Sequence, residues 1–481
     1  MSKSRTRLRV SGSLGLVLVF GLACAPAAPS RPPTATASTP KKPHPTSNAA
    51  LPAPPIRRVI LVTIDGMMPD TYQYPDELGL SVPTLRWMKE HGAASAGVRS
   101  VFPTLTYPSH TSIATGVNPN HHRIVANRSF DPMETDQEGW RWYAEDIAAP
   151  TLWQLAESRG LPTALIYWPV TVGAKVHWRV PEFWRAGNDQ DLKLQRAVST
   201  PGLLEAVAAK HPDFWTRFTP PAIHDDALVD IAEHLLSVEK PRLLMMHLVQ
   251  VDTEQHHHGI GSPEAKNAIE ADDAQVARIL RAIEVNGMAK ETALVVASDH
   301  GFRSASRAVR PCALLTEAGL VRLKGDKIAD YDATVQAHAG EAYVYLKSPT
   351  DTAVRERVRE LFELRIKDPT SGIARLYDTK ELLELGGDAT AAFALGAAPG
   401  YQFAPGCRGT YRIESNGYVA THGFDPRDPD MRASLLIVGP SIPHGTIEDA
   451  RLIDIAPTIA GWLGIPFPDV EGKALRIFHS R

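Results

Sequence analysis

Three aspartates follow apolar stretches of the sequence, at positions where buried strands would end. They are Asp65, Asp252 and Asp299, after the apolar runs 59–64, 243–251 and 293–297. Ligands of open parallel sheets bind beyond the carboxyl ends of the strands, so we expect the three carboxylates to gather on one rim. Carboxylates this close repel one another unless cations lie among them. The sequence therefore predicts a metal site.

Histidines occur at spacings that complete such a site. The predicted imidazole ligands are His256, four residues after Asp252, His300, next to Asp299, and His422, in a loop before the run 435–438. An aspartate and a histidine four places apart just past a strand can close on one cation, and the distant histidine would add a third ligand. The two following histidines, His257 and His258, are predicted to lie in a solvated loop or to contact substrate.

A hydroxyl group lies where it could act as a nucleophile. In the stretch 103–116, Pro108 suits the first turn of a helix and Gly116 its end, which places Thr106 just before the helix N-terminus. Free backbone amides and the helix dipole favour an alkoxide there. Since no base is near in the sequence, activation by direct metal coordination is the preferred interpretation, and a simple helix cap is the alternative.

The elements that must position these residues read as an α/β domain. Five apolar runs lack the alternation of half-exposed strands, and helical patterns lie between them, which predicts a mainly parallel sheet with helices on both faces. The strand runs are 59–64, 164–168, 243–251, 293–297 and 435–438, and the helices are 150–158, 225–238 and 263–285. Residues 302–419, with Gly-rich turns and a basic helix at 354–364, are predicted to be an insertion that caps the sheet.

The first 55 of the 481 residues predict export and anchoring. Residues 1–24 have basic residues, a short apolar run and a terminal Cys24, which resembles the signal peptide and acylated cysteine of bacterial lipoproteins. Residues 25–55 are rich in Pro, Ala, Ser and Thr and predict a flexible spacer before a catalytic domain at 56–481. We therefore expect a protein of the bacterial cell envelope, at the periplasmic or outer-membrane face, held to the membrane only by this anchor.

The composition limits the classes of binding partner and the possible states of the cysteines. Without the signal peptide, 47 Lys and Arg face 54 Asp and Glu, a net charge of about −7, which argues against a nucleic acid polymer as partner. The other two cysteines, Cys312 and Cys407, could pair in an oxidising compartment or remain two buried thiols. None of the cysteines has zinc-thiolate spacing, so a metal would depend on imidazoles and carboxylates.

In their order along the chain, these motifs resemble the nucleotide pyrophosphatase/phosphodiesterase branch of the alkaline phosphatase superfamily. The motifs are Asp65-Gly66, Pro103-Thr104-Leu105-Thr106-Tyr107-Pro108-Ser109-His110, Asp252 to His256, Ser298-Asp299-His300-Gly301 and His422-Gly423. The resemblance implies an alkaline phosphatase-like fold and two zinc ions. It assigns one ion to Asp65, Asp299, His300 and the Thr106 oxygen, and the other to Asp252, His256 and His422.

The resemblance also implies the reaction and the substrate contacts. Thr106 would attack phosphorus and form a covalent phospho-threonine intermediate, in a phosphodiesterase or nucleotide pyrophosphatase that acts on small phosphodiester or nucleotide substrates. Asn127 would donate to a phosphoryl oxygen, and Tyr107 would offer a ring on which a base stacks. Trp168, in a segment similar to a strand end of the family, is expected to be structural.

Some positions depart from the family pattern and keep alternatives open. Arg123 stands where a glycine is usual, Ser109 where an asparagine is common, and residues 170–223 do not align. Arg179 and Arg185 in that stretch could neutralise the extra charge of a phosphomonoester, so an alkaline phosphatase-type monoesterase is the alternative activity. A catalytically inactive surface-binding protein is the alternative from another class.

Overall fold

An eight-stranded sheet forms the centre of the structure, a computed structural model. In spatial order its strands are Gly445–Ile447, Ala93–Ser95, Leu435–Val438, Thr292–Ala297, Arg58–Ile64, Leu243–Leu248, Thr163–Ile166 and Trp178–Val180. Parallel pairs join all neighbours except those on either side of Leu435–Val438, which runs antiparallel to both. The prediction of a mainly parallel α/β sheet is confirmed.

The central strand shows why the sheet reads as continuous apolar runs. All seven residues of Arg58–Ile64 are buried, and their side chains alternate between two hydrophobic cores. Ile60, Val62 and Ile64 pack into one core, and Val59 and Leu61 pack into the other. Because both faces of this strand are covered, it has no solvated side, and its sequence reads as a nearly continuous apolar run.

Helices cover both faces and fill the connections. The α-helices are Asp70–Gln73, Pro75–Leu78, Pro83–His91, Thr106–Thr115, Pro119–His122, Leu152–Ser158, Asp189–Val198, Leu203–Ala208, Phe214–Arg217, Asp225–Val238, Gln250–His258, Pro263–Val285, Pro311–Glu317, Thr352–Ile366, Thr379–Glu384 and Ile455–Leu463. Single 3₁₀ turns lie at Ala144–Asp146, Pro429–Met431 and Leu452–Asp454. The predicted helices 225–238 and 263–285 have the bounds that the sequence patterns indicated.

One predicted strand is wrong in its second half. The apolar run 243–251 was expected to be a single strand that ends in Asp252, but the strand is Leu243–Leu248 and the chain then enters the helix Gln250–His258. Asp225 caps the start of this helix, since its carboxylate accepts the Val249 and Gln250 amides at 2.8–3.1 Å. Asp252 therefore lies on the first turn of a helix, on the same rim of the sheet.

The predicted insertion, residues 302–419, contains sheets of its own and is called the cap below. Its largest sheet is antiparallel and contains Ala333–His338, Glu341–Leu346, Phe393–Ala397 and Ile373–Asp378 in spatial order. A three-stranded sheet contains Tyr401–Phe403, Arg307–Val309 and Arg412–Ile413 in spatial order. Two-stranded sheets join Val321–Lys324 to Lys327–Tyr331 and Ala420–Thr421 to Arg303–Ser304. Outside the cap, Phe218–Thr219 pairs with Ala222–Ile223. The cap has a separate hydrophobic core, with Val358 and Phe362 of the helix Thr352–Ile366 inside it.

A disulfide joins Cys312 and Cys407 within the cap. It links the helix Pro311–Glu317 to a loop 95 residues further along the chain, and Thr316 of that helix also donates to the Cys407 carbonyl at 2.8 Å. Of the two possibilities that the sequence left open for these cysteines, the structure has the paired one.

The structure describes residues 56–133, 135, 139–185, 188–219, 222–414 and 417–477. The signal peptide 1–24 with Cys24 and the spacer 25–55 lie outside the described residues, so those predictions stay predictions. Within the described ranges, no helix combines the length and the apolar character that a membrane span needs.

Candidate metal centre

The rim of the central sheet brings the predicted acids together. Backbone pairing continues past the strand ends, where the Asp65 amide donates to the Leu248 carbonyl at 2.9 Å. The chain then turns at Gly66, whose φ is 65° and whose amide donates to Asp299 Oδ1 at 3.1 Å. A Cβ at Gly66 would lie 2.7 Å from the Phe302 ring, so the turn between these two acids requires glycine.

Five of the seven predicted ligand residues form two overlapping groups, and a sixth lies against one of them. One group is Asp252, His256 and His422, and the other is Asp65, Asp252 and His300; the ligand atoms of each group lie within 4.8 Å of one another. The sixth residue, Asp299, places Oδ2 3.1 Å from His300 Nε2, and Asp65 Oδ1 lies 3.3 Å from the same nitrogen. Asp252 Oδ1 is 3.5 Å from the Nε2 atoms of both other histidines.

Each histidine of the centre is oriented by a backbone carbonyl. Nδ1 of His256, His300 and His422 lies 2.9, 3.2 and 2.8 Å from the carbonyls of Ala420, Gly301 and Thr104. A carbonyl can only accept, so Nδ1 carries the proton and Nε2 keeps its lone pair. All three lone pairs therefore face the acids, as metal-ligating imidazoles do in proteins.

The centre contains buried polar atoms that have no hydrogen-bond partner among the described residues. Asp65 Oδ1, Asp252 Oδ1, Asp299 Oδ2 and His300 Nε2 are buried without a hydrogen-bond partner. Burial and the charge of Asp252 raise the pKa of Asp65 to about 6, and burial and the charge of Asp65 raise the pKa of Asp299 well above its usual range. Burial lowers the pKa of His300 well below its usual range. Neutral imidazoles and crowded carboxylates fit divalent cations, which would remove the repulsion and occupy the lone pairs.

Thr106 begins the buried helix Thr106–Thr115 beside this centre. Two residues before it, the Thr104 carbonyl fixes His422. Four residues after it, His110 Nδ1 contacts the Thr106 carbonyl at 2.8 Å and lies 3.6 Å from Asp299 Oδ2. The threonine is thus held between a contact to His422 and a contact to Asp299, at a helix N-terminus whose dipole favours negative charge. The predicted helix is present, but it begins at Thr106 itself, with Leu105 as its N-cap, and not just after Thr106 as the sequence suggested.

Asn127 contacts the residue that follows Thr106. Its Oδ1 accepts the backbone amide of Tyr107 at 3.0 Å. Because an amide N–H requires the oxygen on that side, this bond leaves the Nδ2 donor of Asn127 for another acceptor. The geometry agrees with the predicted role as a donor to a phosphoryl oxygen.

The predicted stacking role of Tyr107 does not agree with its placement. Its side chain is 1% exposed and its hydroxyl donates to Glu182 at 3.1 Å, so the ring has no free face for a base. The ring instead packs 5.3 Å from Trp140, which in turn lies 5.0 Å from Trp184. These two tryptophans are half-buried and form an aromatic wall against the Tyr107 ring, which the sequence did not predict.

The residues that departed from the family pattern have local explanations. Arg123 ends a short helix with a left-handed φ of 67°, the conformation that glycine adopts most easily. The Arg179 guanidinium donates to the carbonyls of Val198 and Ala174 at 3.0 and 3.2 Å, so its donors hold the backbone instead of a phosphomonoester. Arg185, His257 and His258 are exposed.

Two further buried residues, His247 and Glu182, belong to the centre and had no predicted role. His247 Nε2 lies 2.9 Å from Asp65 Oδ2, and its Nδ1 lies 3.2 Å from Glu182 Oε2. Burial opposes protonation of this ring, but the hydrogen bonds to both acids raise its pKa well above the usual range. A histidine inside the apolar run 243–248 was a signal for this contact; Glu182, in the unaligned stretch, gave none.

The fold and the site define a hydrolase of the alkaline phosphatase superfamily. A family model described as type I phosphodiesterase / nucleotide pyrophosphatase matches residues 59–425. The chain belongs to this family, whose members hydrolyse phosphoric esters, and the predicted family, fold and enzyme class are confirmed.

Relatives and solved structures agree with this assignment. Ectonucleotide pyrophosphatase/phosphodiesterase family member 1 from Rattus norvegicus is 24% identical over 257 residues, 51% of this chain and 24% of that protein. Family member 5 from Homo sapiens is 24% identical over 265 residues, 53% of this chain and 46% of that protein. The matches therefore span less than half of these relatives' length.

Structural similarity extends over most of the chain. The human ectonucleotide pyrophosphatase / phosphodiesterase 5 structure has a TM-score of 0.62 at 20% identity and covers 86% of this chain and 97% of its own. An inactive variant of the murine protein in complex with AMP has a TM-score of 0.60 at 19% identity, with 87% and 97% covered. At this identity the similarity supports the fold alone.

Proposed function

We propose that this chain is a two-zinc phosphodiesterase or nucleotide pyrophosphatase that acts through a covalent intermediate on Thr106. The observation that carries the proposal is the position of Thr106, at a helix N-terminus between a residue that fixes His422 and a residue that touches Asp299. Family membership supports the reaction class. The unpartnered atoms of the centre support the cofactor.

The residues divide the work of binding metals and substrate. Asp65, Asp299 and His300 would hold one zinc ion with the Thr106 oxygen, and Asp252, His256 and His422 would hold the other. Bound zinc supplies Lewis acidity, which lowers the pKa of a coordinated hydroxyl and stabilises charge on a leaving oxygen. Asn127 Nδ2 would donate to a non-bridging phosphoryl oxygen and stabilise the charge that develops there.

The covalent step conserves atoms in two displacements at phosphorus. The Thr106 oxygen forms a bond to phosphorus as the bond to the leaving alcohol or phosphate breaks, and the proton of the hydroxyl is taken up by the departing oxygen, directly or through solvent. Water then attacks phosphorus, its hydroxyl stays on the product, and the bond to Thr106 breaks as the threonine regains a proton. The dipole of the helix favours the anionic form of the threonine oxygen during both steps.

We propose small nucleotides or similar diesters as substrates. The murine relative was solved with AMP, which supports a nucleotide-sized ligand for this site. The half-buried rings of Trp140 and Trp184 beside Asn127 are candidates for an apolar contact with the second ester group, in place of Tyr107. The negative charge of the chain disfavours a polymeric nucleic acid.

The experiment compares turnover of an aryl phosphodiester, a pyrophosphate-linked dinucleotide and an aryl monophosphate by the zinc-loaded protein. Wild type should prefer one of the first two substrates, and Thr106→Ala should lose at least about a hundredfold in kcat, since nucleophile and metal ligand vanish together. Thr115→Ala is the matched control, because Thr115 lies at the other end of the same helix and its hydroxyl bonds only the Thr111 carbonyl. A preference for the monoester, or full activity of Thr106→Ala, would refute the proposal.

We also propose that the protein is exported and anchored through Cys24. Its support is the sequence alone, namely the basic start, the apolar run and the terminal cysteine of residues 1–24. A Pro-rich spacer at 25–55 would then hold the catalytic unit away from the lipid surface.

A further inference from the structure

A buried histidine links one metal-ligating acid to a second acid outside the ligand set. His247 lies in the strand Leu243–Leu248 beside the central strand of the sheet. Its side chain is 1% exposed, and its two ring nitrogens lie 2.9 Å from Asp65 Oδ2 and 3.2 Å from Glu182 Oε2. Two carboxylates on opposite edges of one ring fix its rotation.

The same contacts continue to Asn127, the proposed donor to a phosphoryl oxygen. Glu182 is 4% exposed, and its other oxygen accepts the Tyr107 hydroxyl at 3.1 Å. The backbone amide of Tyr107 donates to Asn127 Oδ1 at 3.0 Å. A chain of contacts therefore runs from Asp65 through His247, Glu182 and Tyr107 to Asn127, and Tyr107 is the residue that follows Thr106.

This chain determines which oxygen Asp65 presents. Oδ2 is occupied by His247, while Oδ1 is buried, has no hydrogen-bond partner and lies 3.3 Å from His300 Nε2. Without the histidine, Asp65 could rotate and present either oxygen or both. With it, a single oxygen points into the centre, and partners of this kind are known to set the orientation and strength of metal ligands.

We propose that Glu182 and His247 are positioning residues of the phosphoryl-transfer site, which hold Asp65 as a one-oxygen ligand and couple it, through Tyr107, to the orientation of Asn127. The inference rests on the proposed function for its kinetic consequence but not for its metal-binding consequence. Neither residue touches the reacting atoms. Both act by fixing groups that do.

The test replaces Glu182 in the full chain and measures zinc affinity by competition with a chromogenic chelator, alongside kcat and KM. Glu182→Ala removes the acceptor of both the His247 and the Tyr107 bonds, so zinc affinity at one of the two sites and kcat should each fall about 10- to 100-fold, with KM little changed. Glu182→Gln keeps an acceptor for the ring and should retain more of both.

A second variant separates the two halves of the chain. Tyr107→Phe cuts the contact to Glu182 and leaves the contacts of His247 in place, so it should lower kcat without changing zinc affinity. The matched control is Glu341→Gln, since Glu341 is also a buried glutamate that accepts a tyrosine hydroxyl, from Tyr377 at 3.2 Å, but it lies in the cap. This control should remain within about twofold of wild type, as expected for independent sites.

The outcomes decide the inference separately from the proposed function. Wild-type zinc affinity and kcat in both Glu182 variants would overturn it, and so would an equal loss in Glu341→Gln, because that loss would reflect a buried carboxylate in general. If Glu182→Ala does not fold, the comparison of Glu182→Gln with Glu341→Gln decides. If wild type hydrolyses none of the substrates, the proposed function fails, while the zinc affinities still report whether Glu182 positions the ligand.

Discussion

Removing the metals should make the protein less stable as the pH rises, and the replacement Asp65→Asn should reduce this loss. Burial and the charge of Asp252 raise the pKa of Asp65 from 3.8 to about 6 in the metal-free protein. A carboxyl whose pKa is higher in the folded state binds a proton more strongly there than in the unfolded chain. Its contribution to stability is complete below about pH 4 and is lost as pH rises through about 6.

The magnitude follows from the shift. About two pKa units correspond to roughly 3 kcal/mol of folding free energy from this one group. Asp299, whose pKa is also raised by burial and by Asp65, acts in the same direction. Bound zinc removes the penalty because the carboxylates then bind as anions, so the difference in unfolding free energy between loaded and stripped protein should grow by about 1–2 kcal/mol from Asp65 alone between about pH 5 and pH 7.5, and by more with Asp299.

The assay is urea unfolding of zinc-loaded and chelator-stripped protein at these two pH values. In the stripped state, Asp65→Asn should be about 2–3 kcal/mol more stable than wild type near pH 7.5, although the variant loses a zinc ligand. The new amide can accept from His247 and donate to the unpartnered His300 Nε2. A stripped variant that is less stable than stripped wild type at pH 7.5 would refute the reasoning.

Three further predictions concern residues away from the metals. Arg123→Gly should raise the unfolding free energy by about 0.5–1 kcal/mol, because the left-handed φ costs more than the added freedom of glycine; thermal denaturation measures it, and a loss would contradict the strain. Replacing Cys312 and Cys407 with serine should cost about 2–5 kcal/mol in urea unfolding, and wild type in reductant should match the variant if the disulfide is the cause. Cys24→Ala should move the protein from the membrane fraction to the soluble fraction, and retention with the membrane would contradict the anchor.

The convergence of these six acids and histidines could be predicted from the sequence because their polar side chains lie where burial would otherwise exclude them. Asp65 and Asp299 follow fully buried strands, and the apolar runs before them made their positions visible. Asp252 was placed on the correct rim for an incorrect reason, since a helix and not a strand carries it. The error did no harm because both elements leave the sheet at the same edge.

The contacts that the sequence could not supply are those between distant side chains. Tyr107 follows Thr106 in a motif whose resemblance to the family implies a ring open to a base. In the structure, Glu182, 75 residues further along the chain, accepts the Tyr107 hydroxyl in the interior. Nothing local marks Glu182 as the partner, and the aromatic wall of Trp140 and Trp184 depends on the same fold-level proximity. Such contacts form when folding brings distant residues together, and the spacing of residues in a single sequence does not show which of them will meet.

The most direct test of the account is the zinc content of the purified full chain, measured by elemental analysis together with hydrolysis of an aryl phosphodiester before and after chelation. The account predicts two zinc ions per chain, loss of activity when they are removed, and recovery when zinc is returned. It also predicts about one ion for His422→Ala, which retains Asp65, Asp299 and His300. A native preparation that holds no zinc, binds none when it is added and shows no change in hydrolysis would contradict the central claim.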